Sequence, residues 1–197
     1  MELIQIHVNR EAYLEQAVLE CRPFFDLYTN PLPQKIRVSC GIPSNAKRSG
    51  AIGECHSDQA SKDKSFEIFI HPKLDNRLEV FEVLVHELCH TLPGAHNHGR
   101  VFQKHADALG LVPVGSGRNA YKSTKGGAQF KPMWAEIIDS LGAYPHKALT
   151  LSSHTKQGTR MLKAVCPTCN YSIRTSQHWV DKGLPVCSAD GDTFILA

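Results

Sequence analysis

The sequence has no apolar run near the length of about 20 residues that a membrane-spanning helix requires. Its first residues, Met1 to Ile6, include neither a basic residue nor the apolar core of a signal peptide. It also lacks a large excess of charge of one sign, since the net charge is +3 over 197 residues. These absences predict a cytoplasmic protein without a membrane partner, and the charge alone does not decide for or against nucleic acid.

The cysteines lack the regular pattern of a secreted, disulfide-bonded domain, and their number, seven, is odd. The three nearest the C-terminus, Cys166, Cys169 and Cys187, instead have spacing typical of metal ligands. We predict that the other four are free thiols, mostly packed in the interior: Cys21, Cys40, Cys55 and Cys89.

The chain is long enough for one domain with a sizeable core and a small appendage. Polar and turn-forming residues cluster shortly after residue 149. We therefore predict a first domain at residues 1–149, a linker at residues 150–160, and a separate cysteine-bearing module at residues 161–197.

Local patterns in the first domain predict an α+β fold. Alternating apolar and polar residues predict a strand at 35–40. The run at 66–70, which ends before Pro72, is the clearest predicted strand, and a shorter strand is predicted at 52–56. The segment 113–132 is rich in Gly, Ser and Lys, which predicts a mobile loop. A strand at the edge of a sheet, beside a site-bearing helix, could hold an extended peptide through main-chain hydrogen bonds.

The segment that follows the strand at 66–70 has a helical pattern and contains His-Glu-x-x-His at positions 86–90. Asn76 is placed to cap this helix. His86 and His90 are one helical turn apart, so both imidazoles project to the same side. Two neutral imidazoles at that spacing suit a tetrahedral zinc ion, and Glu87 is placed to act on a water at the metal. The motif also arises by chance in a chain with 11 histidines, but its apolar context argues against an ordinary surface helix.

A catalytic zinc takes three protein ligands and leaves one position open, and two histidines compete for the third place. His96 follows His90 at the metzincin spacing, but that pattern requires Gly where Pro93 stands. His98 opens the sequence His-Gly-x-x-Phe at the predicted start of a helix. Spacing alone leaves both alternatives open.

His-Glu-x-x-His followed by His98-Gly99-x-x-Phe102 resembles the SprT/Spartan-like zinc metallopeptidases. Similar segments occur at 52–55, 67–72 and 144–149, and the resemblance extends from residue 40 to residue 188. It implies a zincin-like core, in which a small sheet packs beside the His-Glu-x-x-His helix. It also implies that His98 is the third zinc ligand and that Phe102 packs beneath the site.

The same resemblance implies a zinc-dependent endopeptidase in which Glu87 moves the proton of the attacking water to the leaving amine. Family members linked to repair cleave proteins crosslinked to DNA, so a DNA-associated protein substrate and a DNA partner are implied here. One alternative is a nucleic-acid-binding or transcription-associated module with an idle zinc site, although such a site would not need Glu87. Another is a zinc hydrolase for small molecules, which a narrow, deep pocket would favour.

The C-terminal module begins its metal-ligand pattern with Cys166-x-x-Cys169. Cys187 opens a second, incomplete knuckle, in which Asp190 stands where a second Cys or His is expected. SprT-like proteins often carry a zinc ribbon at this place, and the resemblance therefore implies a ribbon-like β module. We predict a second, structural zinc ion with Asp190 as its fourth ligand.

Two other hypotheses for the module stay open: His178 replaces Asp190, or the module lacks metal and packs around Tyr171 and Trp179. These two aromatic residues could instead stack on bases beside basic residues, which would form a nucleic-acid-binding surface. An ordinary solvated face accounts for the same charges. The basic residues concerned are Arg160, Lys163, Arg174 and Lys182.

Overall fold

The structure, a computed structural model, describes residues 4–150 and 161–197. The chain divides into two compact units, Met1–Leu151 and Ser152–Ala197. All but the first residue of the predicted linker at 150–160 lies outside the described residues. None of the described helices is long and apolar enough to cross a membrane.

The first unit is a mixed α+β structure, as predicted. Its α-helices are α1 (Arg10–Tyr28), α2 (Ala46–Ser49), α3 (Arg77–His90), α4 (Arg100–Ala108) and α5 (Phe130–Ser140). Its strands are β1 (Ile36–Cys40), β2 (Gly53–His56), β3 (Phe66–Ile70), β4 (Leu111–Pro113) and β5 (Thr124–Gly126). Short 3-10 helices span Asp58–Ala60 and Gly117–Lys122.

The main sheet has the strand order β1-β3-β2. The central strand β3 is parallel to β1 and antiparallel to β2, so that Ile68 pairs with Val38 on one side and with Cys55 on the other. These three strands confirm the three predicted strands to within one residue. Because β3 is the only described strand beside β2, the other edge of β2 is free of strand pairing.

Helix α3 lies in the centre of the unit and is buried along most of its length. The side chain of Asn76 caps it and accepts hydrogen bonds from the main-chain nitrogens of Leu78 and Glu79, at 3.0 and 3.2 Å. The helix packs against β2, β3, β5 and the other long helices. Its histidines and glutamate are therefore held in a rigid interior element.

The predicted mobile loop at 113–132 is wrong in part. Strand β5 and the first residues of α5 fall within it, and β5 pairs antiparallel with β4. The residues Thr124-Lys125-Gly126 have no strong strand preference of their own. Pairing with β4 and packing against α3 stabilise the strand. Local sequence patterns do not predict such tertiary contacts.

The second unit is a small β structure with one helical turn. Its described elements are β6 (Leu162–Val165), β7 (Ser172–Thr175), α6 (Gln177–Val180) and β8 (Ile195–Leu196). The strands form one antiparallel sheet in the order β7-β6-β8. Within residues 161–197, the buried apolar core consists of Ala164, Cys166, Cys187 and Phe194.

Candidate metal centres

Three imidazoles converge at the C-terminal end of α3. Nε2 of His98 lies 3.2 Å from Nε2 of His86 and 3.1 Å from Nε2 of His90. The turn after α3 makes this possible, because Gly94 adopts a left-handed conformation (φ +74°) and the chain reverses there. The three predicted ligands are thus brought together from a helix and from the loop before α4.

The orientation of two of these rings is fixed by their Nδ1 atoms. Nδ1 of His90 lies 2.9 Å from the carbonyl oxygen of Ala95, and Nδ1 of His86 lies 2.8 Å from Oγ1 of Thr124. A carbonyl oxygen only accepts, so Nδ1 of His90 carries the proton in the neutral ring and its Nε2 presents a lone pair. Such bonds are typical of histidines that ligate metals.

Burial keeps these imidazoles in the neutral form that binds metal. It lowers the pKa of His90 to about 4, with further lowering by His98. Burial and the neighbouring imidazoles hold the pKa of His86 well below its usual value, and burial also lowers the pKa of His98. Phe102 is fully buried beneath the cluster, with its ring 4.5 Å from that of His90 and 4.9 Å from those of His86 and His98.

The cluster could hold a metal ion. With zinc–nitrogen bonds of about 2.0–2.1 Å, two nitrogens of a tetrahedral site lie about 3.3 Å apart. The distances of 3.1 and 3.2 Å agree with this value. Neutral imidazole nitrogens suit zinc but also bind other transition metals, so the ligand set fits zinc without excluding them.

His96, the competing third ligand, is exposed and does not belong to the cluster of converging nitrogens. It lines a cleft of about 600 Å³ that opens over the three imidazoles. Strand β2 and Lys122 also line this cleft. The geometry therefore groups His98, and not His96, with the two histidines of α3.

Glu87 is buried, with a relative exposure of 5%, and it also lines the cleft. Burial, and secondarily the charge of Glu54, raise the pKa of Glu87 to about 8. The carboxylate lies directly against Gly53, where a Cβ atom would come within 2.9 Å of Cδ of Glu87 and 2.7 Å of Cγ1 of Val83. Gly53 is therefore needed because the side chain of Glu87 and the edge strand approach each other so closely.

Neither Gly53 nor Thr124 was among the site residues predicted from the sequence. A glycine within a predicted strand is a signal of close backbone approach, and it was present at position 53. Thr124 offered no signal, because it lies 38 residues from His86 in a segment that looked like a loop. Only the tertiary structure brings its hydroxyl to the imidazole.

A second cluster forms in the small unit. Sγ of Cys166 lies 3.3 Å from both carboxylate oxygens of Asp190, and the Sγ atoms of Cys169 and Cys187 are 3.6 Å apart. These four residues could hold a metal ion. Zinc–sulfur bonds of about 2.3 Å place two sulfurs of a tetrahedral site about 3.8 Å apart, which is close to the distance observed.

The two halves of this cluster share one backbone geometry. In the first, the nitrogen of Asn170 donates to the carbonyl of Cys166 (3.0 Å), and Asn170 has a φ of +61°. In the second, the nitrogen of Gly191 donates to the carbonyl of Cys187 (2.9 Å), and Gly191 has a φ of +80°. Asp190 thus occupies in its knuckle the position that Cys169 occupies in the other.

The positions of the residues do not support the two other hypotheses for this unit, His178 as the fourth ligand or packing around Tyr171 and Trp179. His178 is exposed and is not part of the cluster. The metal-free hypothesis required packing around Tyr171 and Trp179, but each of these side chains is 60% exposed. The packing that this hypothesis names is therefore not found, since the buried apolar core is formed by other residues.

Searches against protein-family models, curated proteins and solved structures found no match.

Proposed function

We propose that the first unit is a zinc-dependent endopeptidase of the SprT/Spartan-like type with a zincin-like core. One observation carries the proposal. Three imidazole nitrogens converge beside the buried carboxylate of Glu87, in a cleft that has a strand edge as one wall. A site that only stabilised the fold would need neither that carboxylate nor the cleft.

His86, His90 and His98 would hold the zinc ion. When bound there, zinc would supply Lewis acidity and lower the pKa of a water towards about 7. The carboxylate of Glu87 accepts a proton from the attacking water and returns it to the nitrogen of the leaving amine. Its contact with Gly53 holds it in place for this work.

Strand β2 provides a place for an extended peptide. The nitrogen of His71 donates to the carbonyl of Ile52 (2.9 Å), and in an antiparallel pair such bonds occur at alternate residues. The main-chain groups of Gly53 and Cys55 therefore face the free edge, and both residues line the cleft. Main-chain bonds of this kind suit a polypeptide substrate better than a small molecule.

DNA-associated or DNA-crosslinked proteins are the substrates that we propose. The small unit supports this, because Lys163 and Arg174 pair across β6 and β7 and are both exposed on one face of the sheet. Tyr171 and Trp179 are also exposed and could stack on bases. The unit would then bring the peptidase to DNA.

Metal analysis of the purified full-length protein tests the two centres together. We expect about two zinc ions per chain in the wild type and about one in His98→Ala, because a site left with two ligands loses its metal. His96→Ala is the matched control and should keep both ions. A His98→Ala protein with unchanged zinc would contradict His98 as a ligand, and a wild type with one ion would contradict one of the two sites.

A second experiment tests the contact between strand and base. Gly53→Ala should lower kcat/KM on an unfolded protein substrate by about 100-fold, because the added methyl group displaces the carboxylate of Glu87. Zinc content should not change. Gly115→Ala is the control, since a Cβ there meets only ordinary contacts at 3.6 Å. Equal activity of the two variants would show that the position of Glu87 does not depend on Gly53.

A further inference from the structure

Glu82 lies on α3 one turn before His86, and the proposed mechanism gives it no role. Its carboxylate is half-buried against β5, where a Cβ added to Gly126 would lie 2.5 Å from Oε1 of Glu82. Burial raises the pKa of Glu82, and the main-chain amide of Gly126 acts in the opposite direction. The carboxylate thus faces the backbone of the strand that carries Thr124.

Two contacts consequently join α3 to β5. Glu82 meets Gly126, and His86 meets Thr124 through a bond of 2.8 Å between Nδ1 and Oγ1. The spacing matches on both sides, because four residues of helix rise about 6 Å and two residues of strand span about 6.8 Å. The Glu82–Gly126 and His86–Thr124 contacts therefore form together when α3 and β5 are aligned in this one register.

We infer that Glu82 is a positioning residue that fixes β5 in this register and thereby holds Thr124 against Nδ1 of His86. With Thr124 as the acceptor, Nδ1 of His86 keeps its proton and Nε2 presents its lone pair to the other imidazoles. Loss of Glu82 lets the strand shift, and His86 then loses the hydroxyl that bonds its Nδ1 and orients its ring. This inference rests on the proposed zinc site, which it deepens by naming what orients one of its ligands.

The experiment uses the full-length protein labelled with ¹⁵N in histidine. Nitrogen NMR of the imidazoles, without zinc, should show His86 protonated at Nδ1 in the wild type and a mixture of tautomers in Glu82→Ala. Chelator competition should show zinc affinity at the histidine site lowered by about 10- to 100-fold. Glu82→Gln, whose side chain keeps the shape that contacts Gly126, should retain both, and Glu79→Ala, at an exposed glutamate on the same helix, should change neither.

Thr124→Val supplies the decisive comparison, because it removes the hydroxyl and keeps the shape of the side chain. If Glu82 acts through Thr124, the double variant Glu82→Ala/Thr124→Val binds zinc no more weakly than Thr124→Val alone. Gly126→Ala tests the same contact from the strand side and should also disturb the tautomer of His86. Additive effects, or an unchanged tautomer in both Glu82→Ala and Gly126→Ala, would overturn the inference.

Failure of the inference is separable from failure of the proposed function. A wild type without zinc at the three histidines would contradict the proposed peptidase, whereas the tautomer measurement needs no metal. A wild type that binds zinc, together with a Glu82→Ala variant of equal affinity, would contradict only the positioning role.

Discussion

Glu87→Gln is expected to lower kcat/KM for peptide hydrolysis by about 100- to 10,000-fold, the usual contribution of a general base. Glutamine has the shape of glutamate, so it fits the space beside Gly53 that the carboxylate occupies. Its amide does not accept a proton from water near neutral pH. The loss would therefore come from proton transfer and not from packing. Initial rates on a labelled, unfolded protein would measure it.

Two accompanying measurements make this result specific. Zinc content should be equal in Glu87→Gln and in the wild type, because the three imidazoles are left intact. Glu79→Gln, on the exposed side of the same helix, should keep full activity. If Glu87→Gln kept most of its activity with zinc bound, Glu87 would not be the base and the proposed mechanism would be wrong.

The parts of the site that lie on one helix were predictable from the sequence. His86 and His90 are neighbours on α3 because residues four apart share a helical face, and this rule is local. The cap at Asn76 is also local and is confirmed. Strand β1 was evident because it alternates apolar and polar residues, and β3 because it is a short, mostly apolar run that ends before Pro72.

The parts that depend on tertiary structure were harder to predict. His98 reaches the helix only because the chain reverses near Gly94, and spacing alone left His96 as an alternative. Thr124 reaches His86 from a strand that local sequence did not indicate. The second knuckle is an intermediate case. Its sequence lacks the expected cysteine, but Gly191 marks the same left-handed turn that Asn170 makes in the first.

The second large effect concerns the stability of the small unit. Among its described residues, the buried apolar core has only four members, and two of these, Cys166 and Cys187, belong to the cluster that could hold a metal ion. Such a core contributes little to the free energy of folding, whereas a structural zinc site contributes about 10 kcal/mol or more at neutral pH. We therefore expect a strong chelator to unfold residues 161–197.

Amide NMR of the full-length His98→Ala variant would measure this, because the first site is then already without metal. Addition of a chelator should collapse the resonances of residues 161–197 to unfolded positions and leave those of the first unit dispersed. Cys169→Ala should give the collapsed spectrum without chelator. Dispersed resonances for the small unit after complete removal of zinc would show that its packing suffices without metal.

The same spectrum decides between the candidates for the fourth ligand. Asp190→Ala should weaken zinc binding, because the two carboxylate oxygens that face Cys166 are removed. Asp190→Cys should bind zinc at least as tightly as the wild type, since it restores the second thiolate of the knuckle and thiolates suit zinc. His178→Ala and Asp181→Ala, both exposed and outside the cluster, should behave as the wild type. Weakened binding in His178→Ala but not in Asp190→Ala would contradict the knuckle geometry and make histidine the fourth ligand.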